Sequence, residues 1–298
     1  MKLVPLGKSD LLVSEISFGC MSLGDDLTEN TRLLHQALDK GINFFDTADL
    51  YQDGQNEISV GKAFQDRRDR VFIATKVGNQ RRADGLGWDW NPRKAYIIKA
   101  VEESLKRLQT NYIDLYQLHG GTIDDPIDET IEAFELLKEV GKIRHYGISS
   151  IRPNVIREYI SRSNIVSVMM QYSLLDRRPQ EEYLDLLHQH QISVLARGTL
   201  AKGLLAGKET DLYMNYGLEE VDKAAEAIHA QSTPDRSPVA TAIRYVLAHP
   251  AVASAVVGIR TEEQLREAFQ AGNAPELTTD EWQALASSIP ANHYEDHR

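Results

Sequence analysis

The chain has 298 residues, 42% hydrophobic and 26% charged, with 19 Gly and 10 Pro, a composition that excludes disordered, collagenous and coiled-coil chains and can fill a sizeable core. Its 33 basic and 44 acidic residues leave a formal charge of −11; the acids spread along helical faces and the two basic clusters (Arg67, Arg68 and Arg70; Arg81 and Arg82) are short, which argues against a nucleic-acid partner and reads the first cluster as plain surface. No apolar leader or membrane-length run occurs, and the one cysteine, Cys20, can neither pair internally nor supply a zinc ligand set, so a cytoplasmic protein with no membrane association and no metal centre is expected.

Taken in order, 2–6 and 12–14 read as a short strand pair. Eight apolar runs follow, at 16–18, 43–46, 71–75, 113–118, 145–148, 166–171, 193–195 and 255–257, and amphipathic stretches separate nearly every pair. This is the rhythm of βα units around a parallel sheet. Eight such units predict an α/β fold, one (β/α)8 TIM barrel domain over 1–298, with the N-terminal β-hairpin as a plug across its bottom. Asn91, Asp125 and Ser237 each precede a proline and read as helix N-caps. Within 128–140, Ile131, Phe134, Leu137 and Val140 fall three apart and trace one buried face, with Glu132, Glu135 and Glu139 turned away. Two connections exceed the roughly 2 to 6 residues usual for such loops. The first, 77–91, carries Arg81, Arg82, Trp88 and Trp90. The second, 197–237, carries Gly198, Gly203, Gly207, Tyr213 and Tyr216 and a helical stretch over 219–230. Both are expected to overhang the C-terminal face of the barrel, and the second to fold over a ligand.

In such a barrel the C-terminal strand ends point into the mouth, and Asp46, Lys76, His119, Ser149 and Gln171 stand there. A lysine this close to an apolar run needs a charge partner or a depressed pKa, and pairing with Asp46 is the economical arrangement. No G-x-G-x-x-G follows a strand and no G-x-x-x-x-G-K-S/T occurs, which disfavours a dinucleotide fold of the Rossmann type. His293 and His297 have i, i+4 spacing, but a frayed polar terminus is the expected state there.

The strings Asn43-Phe44-Phe45-Asp46-Thr47-Ala48-Asp49-Leu50-Tyr51, Ala74-Thr75-Lys76, Asp114-Leu115-Tyr116-Gln117-Leu118-His119 and Gly147-Ile148-Ser149-Ser150 together resemble the aldo-keto reductases, over nearly the whole chain. The likeness is nearer to bacterial, Bacillus-type members that reduce small aldehydes with NADPH. It implies a catalytic tetrad of Asp46, Tyr51, Lys76 and His119 acting on a small carbonyl compound, with methylglyoxal and glyceraldehyde as family-weighted substrates. Hydride delivered to a carbonyl carbon leaves an oxyanion that needs a proton. Lys76 would lower the pKa of Tyr51, the donor; Asp46 would hold Lys76 charged and aimed, and His119 would orient the carbonyl oxygen.

The resemblance further implies NADP(H), with Ser149, Ser150 and Gln171 on the carboxamide. Its phosphates would lie along 198–203, with Gly198, Leu200 and Lys202, and beside Gly258, Thr261 and Gln264 at the start of the last barrel helix, where Arg260 could pair with a ribose 2′-phosphate. Thr261 and Gln264 also have capping-box spacing, which leaves Arg260 open as a surface residue. Four positions depart from the family pattern. Ser150 stands where asparagine is usual, Arg197 where an aromatic ring often stacks on nicotinamide, a role its planar guanidinium would take over as a cofactor-binding residue, and Ala268 where an asparagine contacts the adenine. Met21 replaces a tryptophan of the substrate pocket, a loss for which Trp88 or Trp90 would compensate. Arg81 and Arg82 would attract anionic or polyoxygenated aldehydes. Two other readings stay open: an NADPH-binding regulatory module with weak turnover, to which the family also extends, and a Schiff-base aldolase using Lys76.

Overall fold

Strands covered on both faces need apolar partners inside and outside the sheet, and the computed structural model, which describes residues 1–298, has both. An antiparallel hairpin of β1 (Leu3–Pro5) and β2 (Leu12–Ser14) comes first. The barrel strands are β3 (Ile16–Gly19), β4 (Phe44–Asp46) and β5 (Phe72–Val77), then, after a second hairpin of β6 (Asn79–Arg81) and β7 (Trp88–Trp90), β8 (Ile113–Leu118), β9 (Ile143–Ser149), β10 (Ser167–Gln171), β11 (Ser193–Arg197) and β12 (Val252–Gly258). These eight pair in parallel, each with its neighbour in the chain, and β12 closes on β3. Ten α-helices run α1 (Leu27–Asp39), α2 (Gln55–Phe64), α3 (Lys94–Leu108), α4 (Ile127–Glu139), α5 (Pro153–Arg162), α6 (Tyr183–Gln189), α7 (Leu218–Ala230), α8 (Pro238–Leu247), α9 (Glu262–Asn273) and α10 (Thr279–Ala286). The expected TIM barrel and its plug are therefore present. No helix is long and apolar enough to cross a membrane.

The core divides in two. Phe44, Ala74, Leu115, Met169, Leu195 and Val256 fill the barrel interior and meet Leu6, Leu11 and Val13 of the N-terminal hairpin, so the plug seals one end. A far larger cluster of 72 buried residues lies between strands and helices. Packing on that outer side holds the strands while the open end remains free for polar groups.

Two of the three expected caps are displaced. Ser237 caps α8, its Oγ accepting from the Ala240 N–H, with Pro238 next. Asn91 instead accepts from Arg93 N–H and α3 begins at Lys94; Asp125 turns back to Thr122 N–H and Trp90 Nε1, and α4 begins at Ile127. Both side chains close short turns before the helix, the alternative use of Asn and Asp ahead of proline. On α4 the buried face is Ile127, Thr130, Ala133, Phe134 and Leu137, and Val140 is 57% exposed. Steps of three fall short of the 3.6-residue turn, so a series that starts near the core drifts out of it.

The first basic cluster is not all surface. Arg68 donates to buried Asp114 Oδ2 (2.6 Å) and to the Val71 and Tyr112 carbonyls, and lies over the Tyr112 ring. Asp114 also accepts from Ile73 N–H and from Arg144, so the arginine ties β5 to β8. Removing one partner of a buried pair leaves an uncompensated charge. Arg68→Ala should cost about 2 kcal/mol in chemical denaturation, whereas Arg70→Ala, at the exposed end of the cluster, should stay within ~0.5 kcal/mol of the wild type.

Candidate active site

Parallel strands in register deliver their last residues to one rim. Gly19 faces Asp46 across β3 and β4, Lys76 faces Gln117 across β5 and β8, and Gln171 faces Arg197 across β10 and β11. Lys76 is fully buried. Its Nζ donates to Asp46 Oδ2 (2.7 Å), to the Thr47 carbonyl (2.7 Å) and to Tyr51 Oη (3.3 Å). Burial is the largest influence and opposes the ammonium, but Asp46 and Tyr51 together outweigh it and hold the Lys76 pKa above its ordinary value. The ion pair, not a depressed pKa, is the arrangement present.

Lys76 acts on Tyr51 in the expected direction, but the net shift is upward. Burial pushes the phenol pKa up and Lys76 only partly opposes the rise. Tyr51 thus stays protonated through neutral pH, with an ammonium placed to stabilise the phenolate once a proton leaves. His119 stands edge-on to Tyr51, ring centroids 6.0 Å apart. Its Nδ1 is buried without a partner, and burial followed by Lys76 and Arg197 lowers its pKa to about 3, so the imidazole is neutral.

Tyr51 opens a strained turn. Gln52 (φ 47°) and Asp53 (φ 57°) precede Gly54 (φ 87°), all left-handed, a conformation costly for residues with a Cβ. Side-chain bonds hold it: Gln52 Nε2 donates to the Leu23 carbonyl and Asp25 Oδ1 (both 3.1 Å), and its Oε1 accepts from Asn56 Nδ2 (3.0 Å). Asn56 also bonds Thr47 and the Cys20 carbonyl, joining the turn to β4. Asp53 pairs with Arg81 (2.6 Å) and Asp89 with Arg82 (2.7 Å). Both arginines are thereby neutralised rather than left to attract an anionic aldehyde. Behind the turn, buried Glu57 accepts from Thr75 Oγ1 and Arg107 Nε (both 2.6 Å). Asp49 Oδ1 has no partner, and burial with the nearby Glu57 raises its pKa to about 8. Gln52, Asn56, Glu57 and Asp49 went unread in the sequence; the signal present was a cluster of polar residues where α2 needed apolar cover.

A cavity of ≈ 1190 Å³ opens above these groups. It brings together Asp46, Tyr51, Lys76 and His119 with Ser149, Ser150, Gln171, Arg197, Gly198, Leu200, Lys202, Gly258 and Gln264, and its apolar wall includes Met21 and Trp88. The Gln171 amide is held on both sides, donating to Tyr213 Oη (3.0 Å) and accepting from Arg197 Nη1 (3.1 Å); Tyr213 comes from the long loop after β11, whose Leu212, Tyr213 and Met214 line the cavity. Ser150 Oγ accepts from Arg152 N–H.

Three expected members stand outside the walls. Trp90 donates to Asp125 and its ring fills the space beside Gly78, where a Cβ would come within 2.4 Å of it. It is a strut under the loop. Thr261 caps α9, accepting from Gln264 N–H (3.2 Å), while Gln264 Oε1 takes the Arg260 N–H (2.8 Å); the capping reading is realised and the Arg260 side chain is exposed beside it. Ala268 is buried in the outer core. The C-terminal tail is docked rather than frayed, with Tyr294 buried against Tyr183, Arg298 paired with Glu181 and the His297 carbonyl accepting from Asn154 N–H. His293 and His297 share no helix, and no three metal-binding side chains converge.

Comparison with known proteins bears on this arrangement. The model of the Aldo/keto reductase family matches residues 15–290. The chain is 54% identical over 302 residues to the uncharacterized oxidoreductase YqkF of Bacillus subtilis, covering 98% of each. It is 34% identical over 205 residues to the aldo-keto reductase yakc of Schizosaccharomyces pombe, whose name carries NADP(+), covering 65% of this chain and 60% of that one. Among solved structures it is similar to the holo form of aldo-keto reductase AKR11C1 from Bacillus halodurans, with a TM-score of 0.94 and 52% identity over 100% of this chain and 99% of that one.

Two outcomes follow from the turn and the carboxyl behind it. Gln52→Ala keeps the unfavourable φ and loses the bonds, whereas Gln52→Gly loses the bonds but relieves the strain; denaturant titration should find the glycine variant more stable by about 1 kcal/mol. A carboxyl whose pKa is raised on folding binds more protons folded than unfolded, so its contribution falls as pH rises from about 4 to about 8. Asp49→Asn removes that fall, and its melting temperature relative to the wild type should rise between pH 5 and pH 8.

Proposed function

The chain belongs to the aldo/keto reductase family and is an oxidoreductase, and from that premise we propose that it reduces short aldehydes and ketones to alcohols with NADPH, Tyr51 supplying the proton. The observation that carries this reading is the buried Lys76 ammonium, bonded at once to Asp46 and to Tyr51 Oη. We take 1–298 as one barrel domain, cytoplasmic and acting on a small-molecule carbonyl substrate.

The cavity fits the nucleotide on its own observations. At ≈ 1190 Å³ it exceeds the about 1,000 Å³ of most small-molecule pockets. Lys202, Arg152 and Arg197 line it without a carboxylate partner. Gly258 presents bare backbone to the cavity, where a Cβ would come within 2.8 Å of Ser22 Oγ. Ser149, Ser150 and Gln171 would hold the carboxamide. Gly198, Leu200, Lys202, Gly258 and Gln264 would hold the phosphates, and exposed Arg260 supports NADPH over NADH by offering a cation to a 2′-phosphate. When bound, the reduced nicotinamide supplies hydride to the carbonyl carbon.

The chain's own groups do the rest. Neutral His119 can donate one hydrogen bond to the carbonyl oxygen without carrying charge, which orients it beside Tyr51. As negative charge develops on that oxygen, Tyr51 gives up its proton and Lys76 stabilises the phenolate left behind. Asp46 keeps Lys76 charged and fixes its aim. Met21 and Trp88 offer a small apolar wall, which supports short aldehydes such as methylglyoxal.

The same Lys76 weighs against a Schiff-base aldolase, because its amine is bound as an ammonium on three acceptors and has no free lone pair for attack. A purely regulatory nucleotide binder would not need a protonated tyrosine bonded to a buried lysine. Purified protein with NADPH and methylglyoxal should consume the reduced-nicotinamide absorbance, and Tyr51→Phe should lower kcat by about 10² to 10⁴ with NADPH affinity retained. Full activity in Tyr51→Phe overturns its role as proton donor. Binding without turnover on a panel of carbonyl compounds would point instead to the regulatory module.

A further inference from the structure

The charges around the cavity do not cancel. Asp46 is the only acidic residue in its lining, against Lys76, Arg152, Arg197 and Lys202. Asp46 is committed to Lys76 at 2.7 Å, and Tyr51 and His119 add no charge at neutral pH. Arg197, at the end of β11, is exposed to the cavity and has no carboxylate within 4.0 Å; its one recorded side-chain bond runs to the neutral Gln171 amide. Asp176, the acid that also faces Tyr213, is taken by the Nε and Nη2 of Arg178, both at 2.8 Å. Arg197 is therefore an unneutralised cation beside the candidate catalytic groups, and its field reaches Asp46, Tyr51 and His119.

We propose that Arg197 makes the site select the reduced over the oxidised form of the nicotinamide nucleotide, and so favours loading with the hydride donor and release of the spent, cationic form. The inference rests on the nucleotide reading above and deepens it. The two redox forms share their phosphates, riboses and adenine, so whatever Arg152 and Lys202 contribute to holding the phosphates cancels in the ratio of affinities. They differ by one positive charge on the nicotinamide ring. An unpaired guanidinium in a half-enclosed cavity repels that charge and leaves the uncharged reduced ring alone. Lys76 does not act in the same way, because Asp46 neutralises it at hydrogen-bond distance.

The test is binding, not turnover. Dissociation constants for NADPH and NADP+ would be measured by calorimetry at fixed ionic strength on the wild type, Arg197→Lys and Arg197→Gln. The wild type should hold NADPH the more tightly; the ratio should shrink by about tenfold in Arg197→Gln and stay within about twofold in Arg197→Lys, which keeps the charge but not the planar fork. If Arg197→Gln failed to fold, judged by thermal denaturation, Arg197→Met provides the same neutral comparison. An unchanged ratio in a folded neutral variant that still binds both forms overturns the proposal. Equal weakening of both forms also overturns it, since Arg197 would then act on a part they share. A wild type that binds neither nucleotide overturns the nucleotide reading instead.

Discussion

A lysine ammonium with no exposed surface is tolerable only where its charge is matched and its donors are filled, and the upper end of this barrel is arranged around that requirement. Lys76 meets it through Asp46, the Thr47 carbonyl and Tyr51 Oη. The matching works because β4 and β5 are parallel neighbours: Asp46 ends β4 facing Ala74, and Lys76 stands two residues further along β5, on the same face as Ala74. Gln117, from the next strand, gives Asp46 Oδ1 a further donor at 3.3 Å. Rigid strands thus set distances that a loop could not hold, and the proton-donor role proposed for Tyr51 depends on them.

Tyr51 itself sits on a loop, and the chain compensates. The left-handed residues that follow it are unfavourable alone, yet they let the backbone reverse quickly enough for α2 to begin four residues later, at Gln55. Gln52, Asn56 and Thr47 then bind the turn to β4 and to the segment after β3. Glu57 and Arg107 anchor the start of α2 to β5 and α3. Strain at one end of the site is thereby balanced by hydrogen bonds drawn from several separate elements.

Overall charge and local charge have opposite signs. The chain carries −11, but its acids lie mainly on outer helix faces or are consumed in pairs, and the cavity lining holds one acid against four cations. Separation of this kind concentrates positive potential where low-dielectric walls enclose it, while the outer surface stays acidic. The same pairing removes Arg81 and Arg82 from substrate attraction, since each has an acidic partner within 3 Å. Net charge read from composition therefore says nothing of the site.

Strand number, strand order and the plug were legible in the sequence, because apolar runs separated by amphipathic stretches leave few ways to bury both faces of a parallel sheet. So were Asp46, Lys76, His119 and Gln171, whose polar character at strand ends is a local signal. The pKa of Tyr51 was not, because its direction depends on the balance between burial and one ammonium, and burial is a property of the folded whole. Trp88 and Trp90 stand two apart on β7 and so share a face, yet one lines the cavity and the other braces the backbone under it, because Trp90 reaches the bare Gly78 surface and Asp125. The same holds for Arg68, whose carboxylate is 46 residues away, and for Arg197, which has no carboxylate partner while Asp46 pairs with Lys76 and Asp176 with Arg178. Short-range pattern specifies which elements form and where they end; partners distant in sequence, competing for a few buried charges, determine what each functional side chain is free to do.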